Sequence, residues 1–340
     1  MRFRLATFNL ENLGAVDGPP LAERIRALRP QLLRLDADVL CLQEVHGQKP
    51  KGARRRRLLA LDRLLEGTPY AAHARVASHA TDRDGETAPA DLHNLVVLSR
   101  LPILGHRQIR HELVSPPLYR AGTADPPPAA ATPITFDRPF LHLVLDLAGR
   151  PLHVLNLHLR APLAAPVPGQ KAGPSVWRSC AGWAEGFFLA AVKRSAQALE
   201  ARLLVDRLFD AEPEALIAVV GDLNAETFEV PVRLLLAEPG DTGNGSLAPR
   251  ALVPLERALP GDRRFSVIHH GRRVMLDHIL VSRPLLALFR HLEVHSETLG
   301  DEVEAALAVT DASESHHAPL VAEFALPDPD RGGSSSAGSS

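Results

Sequence analysis

The sequence is short of several things, and each shortage rules something out. Only two cysteines occur in 340 residues, Cys41 and Cys180. Neither belongs to a Cys-x-x-Cys pair, which argues against a disulfide framework and against a zinc ribbon. Cys41 sits inside an apolar run and reads as a buried core thiol. Neither sign of charge is in excess: 38 Lys+Arg stand against 40 Asp+Glu, for a formal net charge of -2. A globally basic nucleic-acid binder is therefore not indicated, although an enzyme acting on phosphates needs only a local basic patch. No run of about 18 apolar residues occurs, so no membrane span is expected. The opening MRFRLATFNLENLG turns polar after residue 8, too early for a secretory signal. A cytoplasmic protein with no evident obligate protein partner is the expectation, and no internal repeat is visible.

What is present suits a large core: 45% of the residues are hydrophobic and 23% charged. The length allows one large domain or two small ones. Short apolar runs punctuated by Gly, Pro or Asp predict strands over 3–9, 38–44, 94–100, 140–147, 151–159, 216–222, 265–270, 276–282 and 319–325. Helical spacing fits 21–35, 54–66, 185–209 and 228–237. In the third helix Phe188, Val192, Ala196, Leu199 and Leu203 form an apolar stripe, widened by Leu204 and Leu208. DLAGRPLHVL, around Gly149, has the form of a hairpin. Many strands with few helices predict two mostly antiparallel sheets covered by helices, rather than a TIM barrel or a Rossmann sheet. Residues 73–93, 115–139 and 160–182 carry little regular signal; loops that long are functional or disordered. The expected organisation is one domain over 1–327 and a disordered Gly/Ser-rich tail over 328–340.

Polar residues recur at the ends of the apolar runs. LATFNLEN places Asn9 there, DVLCLQEV places Gln43 and Glu44, and HVLNLHL places Asn156 and His158 on one face. VVGDLN supplies Asp222 and Asn224, LDHILVS supplies Asp277, and SHHAPLVAEF supplies His316 and His317. A single Asn or Asp at a strand end is ordinary turn chemistry. Six such sites in this order are not.

The order Asn-x-Glu, Gln-Glu, LSRxPI, NxHL, GDxN, DH and a terminal HxPL, from residue 3 to about 325, resembles the endonuclease/exonuclease/phosphatase superfamily. That group includes DNase I-like nucleases, abasic-site endonucleases, neutral sphingomyelinases and inositol-phosphate phosphatases. The resemblance implies a four-layer α/β/β/α sandwich with its active site at one edge of the paired sheets. It implies Glu44 as the principal ligand of Mg²⁺, with Asn9 as an oxygen ligand; Mg²⁺ takes hard oxygens and keeps several waters. Asp222 would orient or deprotonate the attacking water, and Asn224 would hold the phosphate or a water on the metal. His317 would contact the scissile phosphate with Asp277 fixing its ring, and His158 would donate to a phosphoryl oxygen. Asn156, Arg160 and Arg178 complete the set as substrate-binding residues. One position departs from the pattern. Ser315-His316-His317 stands where members commonly show Ser-Asp-His. Imidazole suits Mn²⁺ better than Mg²⁺, so His316 is expected as a metal ligand and Mn²⁺ is expected to support activity at least as well as Mg²⁺.

Substrate clues are weaker. Lys49, Lys51 and Arg54 to Arg57 read either as a solvated helix face or as a phosphate-binding rim. Trp177, Arg178 and Trp183 could stack on a base, pack on a lipid, or cap the sheet edge. Arg138 reads as half of a surface ion pair, with a phosphate contact as its alternative. The leading expectation is a metal-dependent phosphodiesterase with Mg²⁺ or Mn²⁺, a nuclease acting on DNA or RNA. A phosphatase or a phospholipid or inositol-phosphate phosphodiesterase comes second, and a degenerate member that only binds phosphorylated ligands third.

Overall fold

Period-two alternation along the first strand sets the architecture. In β1 (Arg2–Leu13), Phe3 and Leu5 join one apolar cluster while Ala6, Phe8 and Leu10 join another. The second cluster is completed by Leu28, Leu32 and Leu35 of α1 (Leu21–Leu35) and by Leu61 and Leu64 of α2 (Leu59–Leu65). The first is shared with a second sheet and continues to Ala201, Val205 and Phe209 of α3 (Cys180–Ala211) and Leu235 of α4 (Val230–Leu236). The result is four layers: helices, sheet, sheet, helices. The computed structural model describes residues 1–81, 84–297, 299–303 and 313–327; the tail expected over 328–340 lies outside them.

The remaining strands of the two large sheets are β2 (Val39–Val45), β3 (Ala74–Ala77), β4 (Asn94–Ser99), β5 (Ile103–Ile109), β6 (Phe140–Leu147) and β7 (Arg150–His158). They are followed by β8 (Leu216–Asp222), β9 (Val253–Pro254), β10 (Asp277–Val281), β11 (Phe289–Val294) and β12 (Leu320–Ala325). One sheet has the order β11-β12-β1-β2-β4-β3, the other β9-β10-β8-β7-β6-β5. Each has one parallel pair at its centre, β1 with β2 and β7 with β8. The neighbours β12, β4 and β10 run antiparallel to these. Parallel strands finish at the same edge, and antiparallel neighbours start there. One edge therefore collects the ends of β1, β2, β7 and β8 with the starts of β4, β10 and β12.

Of the strands in the two large sheets, β3, β5, β9 and β11 escape the sequence reading. They are the four sheet edges. An edge strand packs on few partners; β3 buries only Val76 and β11 only Leu292, so neither leaves an apolar run to read. The strand expected over 265–270 is Val267–His269, half of a small hairpin with Arg272–Val274 outside both sheets. Among the described residues no helix is long and apolar enough to cross a membrane.

Much of the stripe expected on α3 faces outward, with Phe188 48% exposed, Leu199 37% and Leu203 36%, while Leu204 is buried and Leu208 packs against the core. The buried side carries Glu185, Arg194, Gln197, Glu200 and Arg202 among small and branched apolar residues. These polar groups anchor chain segments. Glu200 accepts the backbone N–H groups of His111 at 3.0 Å and Leu113 at 2.9 Å. Gln197 donates to the Arg138 carbonyl at 2.8 Å, and Arg194 donates to the carbonyl of Asn224. Periodicity finds the longest apolar stripe, and here the inner face is spent on polar anchors. Glu200→Ala should therefore lower the unfolding free energy by about 3 kcal/mol in urea titrations and raise amide exchange at 111–113, because it strands buried donors.

Candidate active site

The polar residues begin below the edge where these strand ends gather. Thr7 and Gln43 exchange hydrogen bonds on facing strands, and the Gln43 amide donates to Asn156 Oδ1 at 2.8 Å. Asn156 in turn donates to the carbonyls of Leu42 and Val96, both at 3.2 Å. This ladder links the two sheets in the dry interior. Asn156, expected to bind substrate, is fully buried and joins the sheets beneath the site.

One step further along, Asn9 repeats the pattern at the edge. Its amide nitrogen lies 3.2 Å from Glu44 Oε1 and 2.9 Å from Asp222 Oδ2, while its oxygen accepts the N–H of Glu11 at 2.8 Å. Asn9 was expected to offer a metal its oxygen. That oxygen is committed to the backbone, and Asn9 instead bridges one carboxylate from each sheet. Glu44 would point to the helix side by strand parity. A backbone φ of 57° and a register break beyond Leu42 turn it into the site, where Asn12 N–H also holds it at 3.0 Å. Gly221 precedes Asp222 because its neighbour strand is too close for anything larger: a Cβ there would lie 1.9 Å from the Leu157 carbonyl.

His158 Nε2 is 3.5 Å from both Glu44 Oε1 and Asp222 Oδ2. His317 lies on the other side of Asp222, with Nε2 4.0 Å from Oδ2 and Nδ1 2.8 Å from Asp277 Oδ2. Ser315 fixes the approach to His317 by donating to the Asn9 carbonyl at 2.7 Å and accepting the His317 N–H at 3.1 Å. Asn224 does not project freely towards a ligand. Its backbone N–H and its amide bind the two Asp222 oxygens at 2.8 and 3.0 Å, a turn that orients the carboxylate.

The two imidazoles are driven to opposite states. Burial and the adjacent Arg138 guanidinium hold His158 well below the ordinary histidine pKa, so it is neutral. Burial also opposes charge on His317, but Asp277 and Asp222 outweigh it and hold its pKa well above the usual value. Burial pushes the Asp222 carboxyl up to about 7. Behind the site a second histidine–carboxylate pair is wholly buried: His278 Nδ1 is 2.6 Å from Glu256, and its Nε2 is 2.8 Å from the Ala225 carbonyl.

Three of the expected residues stand elsewhere. His316 is bound through Nδ1 to Glu11 at 2.8 Å and does not join the carboxylate cluster, which removes the ground for a preference for Mn²⁺. Arg160 pairs with Asp137, and Arg178 is exposed without a side-chain partner among the described residues. The run Arg54–Arg57 precedes α2 and is not a free basic rim: Arg54, Arg55 and Arg56 pair with Asp84, Glu86 and Asp91.

Other residues at the site were missed. Arg138 Nη1 lies 3.0 Å from His158 Nε2, a contact inside the site and not a surface ion pair. The signal for it was present. The hairpin pairs Leu147 with Arg150 and Leu141 with Asn156, and two further steps set Pro139 across from His158 with Arg138 alongside. His93, whose ring is 5.7 Å from that of His158, comes from the start of β4, and only the pairing of β4 with β2 places it. Arg24 of α1 secures the end of β1 by donating to the Glu11 carbonyl at 2.9 Å and also to that of Leu10.

Glu44, His158 and Asp222 offer ligand atoms within 4.8 Å of one another, and so do Asp222, Asp277 and His317. Clustered carboxylates beside neutral imidazole fit a hard divalent cation, and the raised pKa of Asp222 marks a place where added positive charge is favourable.

The chain matches the Endonuclease/Exonuclease/phosphatase family over residues 6–298. No curated protein matches it. Among solved structures it is similar to truncated Caenorhabditis elegans TDP2, at 14% identity and a TM-score of 0.53, covering 96% of this chain and 98% of that one. It is also similar to an endonuclease/exonuclease/phosphatase from Beutenbergia cavernae, at 18% identity and a TM-score of 0.54 over 96% and 72% of the two chains. A family protein from Bacteroides thetaiotaomicron matches at 14% identity and a TM-score of 0.55 over 95% of each. At these identities the likeness is one of fold.

Two outcomes check this description. Asn156→Leu should cost about 2–4 kcal/mol in urea unfolding, since it strands Gln43 and two carbonyls; an unchanged midpoint would return Asn156 to the list of ligand contacts. The pKa of His278 is raised by Glu256 against the burial that lowers it. A raised folded pKa contributes stability that is full below the unfolded value, about 6.5, and is lost as pH rises through the folded one. His317 and His316 act in the same direction. Glu256→Gln should therefore reduce the fall in stability above about pH 6.5, measured by urea unfolding across pH 6 to 9.

Proposed function

The chain belongs to the endonuclease/exonuclease/phosphatase family, and within it we propose a metal-dependent phosphodiesterase, a nuclease acting on DNA or RNA. Members of this family use divalent metal ions, and Mg²⁺ or Mn²⁺ suits the carboxylate set here. The observation that carries the reading is the position of Asp222 between a neutral imidazole, His158, and a charged one, His317.

The roles follow from that arrangement. Asp222, with its pKa at about 7, takes the proton of the attacking water near neutral pH. Asn224 holds the carboxylate in line. His317, kept protonated by Asp277, donates to the phosphoryl group as its charge builds, and Arg138 adds a second positive group beside His158. Glu44 is the principal metal ligand, and His158 N–H meets a phosphoryl oxygen. A divalent cation at Glu44 supplies Lewis-acid stabilisation of the charge that develops on the phosphate.

The test is cleavage of supercoiled plasmid and of a single-stranded oligonucleotide with Mg²⁺ or Mn²⁺. His158→Ala and Asp222→Asn should each lower the rate by about 100-fold or more while leaving the fold intact by circular dichroism. A folded wild-type protein that cuts neither nucleic acid but hydrolyses phospholipid or inositol phosphates would replace the nuclease reading with the second one. Metal-dependent cleavage that survives both substitutions would remove this site from the chemistry.

A further inference from the structure

The long segments 115–139 and 160–182 form a second feature beside the reaction centre. They are tied to each other: Asp125 N–H donates to the Pro168 carbonyl at 3.0 Å, and the Gln170 amide donates to the Thr123 carbonyl. Both are also tied to α3. The Glu185 carboxylate accepts the Tyr119 hydroxyl at 2.8 Å and the Thr123 N–H at 2.9 Å, while Ala165 N–H donates to the Gly186 carbonyl at 2.8 Å. Between the segments lies a cavity of about 290 Å³. Its walls include Tyr119, Pro128, Pro133, Ile134, Pro168 and Leu189, and its one charged lining group is Lys193.

Lys193 connects the cavity to the chemistry. Its Nζ is 2.7 Å from Asp137 Oδ1, and Asp137 also holds Arg160. Asp137 precedes Arg138, the residue against His158, and its negative charge acts on both Arg138 and His93. The cavity is therefore joined to Arg138 through one ion pair, that of Lys193 with Asp137, the sequence neighbour of Arg138.

We propose that the cavity receives the nucleobase adjacent to the scissile phosphate, so that the preferred substrate is a single-stranded nucleic acid. This rests on the phosphodiesterase reading and adds the substrate class to it. The tyrosine ring can stack on a base and the proline rings pack against its apolar face, and such contacts tolerate any sequence. The volume stands at the lower end of small-ligand cavities, roughly 300–1,000 Å³, which suits one ring system. Thr132 and Thr135 at the lining offer hydrogen bonds to a base edge. A base paired and stacked in a duplex cannot enter without leaving its stack. The anchoring through Glu185 sets the walls before a ligand arrives.

The experiment has a binding arm and a cleavage arm. Adenosine 5′-monophosphate and ribose 5-phosphate are titrated calorimetrically against the wild type and Ala121→Trp, which fills the cavity from its rim. Leu189→Trp fills it from the helix side and replaces the first variant if that one does not fold. The nucleotide should bind the wild type about tenfold or more tightly than the sugar phosphate, and the variant should lose that difference. In the cleavage arm the variant should raise KM for a single-stranded oligonucleotide about tenfold, with turnover of bis(p-nitrophenyl) phosphate unchanged, and the wild type should favour the single strand over its duplex. Equal binding of the two ligands by the wild type, or equal losses on both cleavage substrates in the variant, overturns the proposal. Base-dependent binding without cleavage of any diester keeps the cavity assignment and removes the phosphodiesterase reading.

Discussion

The amide of Asn9 is where the two halves of this protein meet. It stands at the end of a central strand of one sheet and donates at once to Glu44 of its own sheet and to Asp222 of the other. Two carboxylates brought together in a buried place repel each other. A neutral donor shared between them makes the approach tolerable, and the contact ties the two sheets together at this edge. The Thr7–Gln43–Asn156 ladder repeats the solution one layer deeper, where no solvent could satisfy the groups. The edge is therefore held from below by hydrogen bonds and not only by the apolar core.

The topology explains why so many functional groups converge. A parallel pair at the centre of each sheet delivers two strand ends to one edge, and the antiparallel neighbours deliver their starts. Residues far apart in sequence then become neighbours with little help from loops. Asp277 and His317 meet at 2.8 Å because one begins β10 at this edge and the other lies just ahead of β12. The electrostatic contrast follows from the same placement. Burial and the Arg138 guanidinium strip His158 of its proton, whereas on His317 the pull of Asp277 and Asp222 outweighs burial and keeps the proton on.

The longest helix inverts the usual distribution of polarity. Its inner face holds Glu185, Arg194, Gln197 and Glu200, each of which binds a neighbouring chain segment, and its outer face exposes Phe188, Leu199 and Leu203. Charged groups buried in this way are tolerable because each is hydrogen-bonded to backbone or side-chain partners. The helix thus works as a frame on which the long Pro-rich segments are hung.

The sequence by itself determined the central strands, the four-layer architecture and the residues at the strand ends, because burial on both sides of a central strand enforces continuous apolar runs and a polar stop. It did not reveal the edge strands β3, β5, β9 and β11, whose few buried side chains leave no such pattern. Direction was also beyond it. Asn9 and Asn156 occupy positions that spacing marks as functional, yet one bridges carboxylates through its nitrogen and the other ties the sheets together out of reach of solvent. His316 was legible as an unusual residue, but its pairing with Glu11 depends on a turn in the backbone at the end of β1, where Glu11 has a φ of 43°. Arg138 and His93 gain their place only from strand pairing. Identity and periodicity are local properties of a chain. Which atom of a side chain meets which partner depends on contacts between residues as far as 306 positions apart, such as Ser315 and Asn9, and those exist only once the sheets have packed.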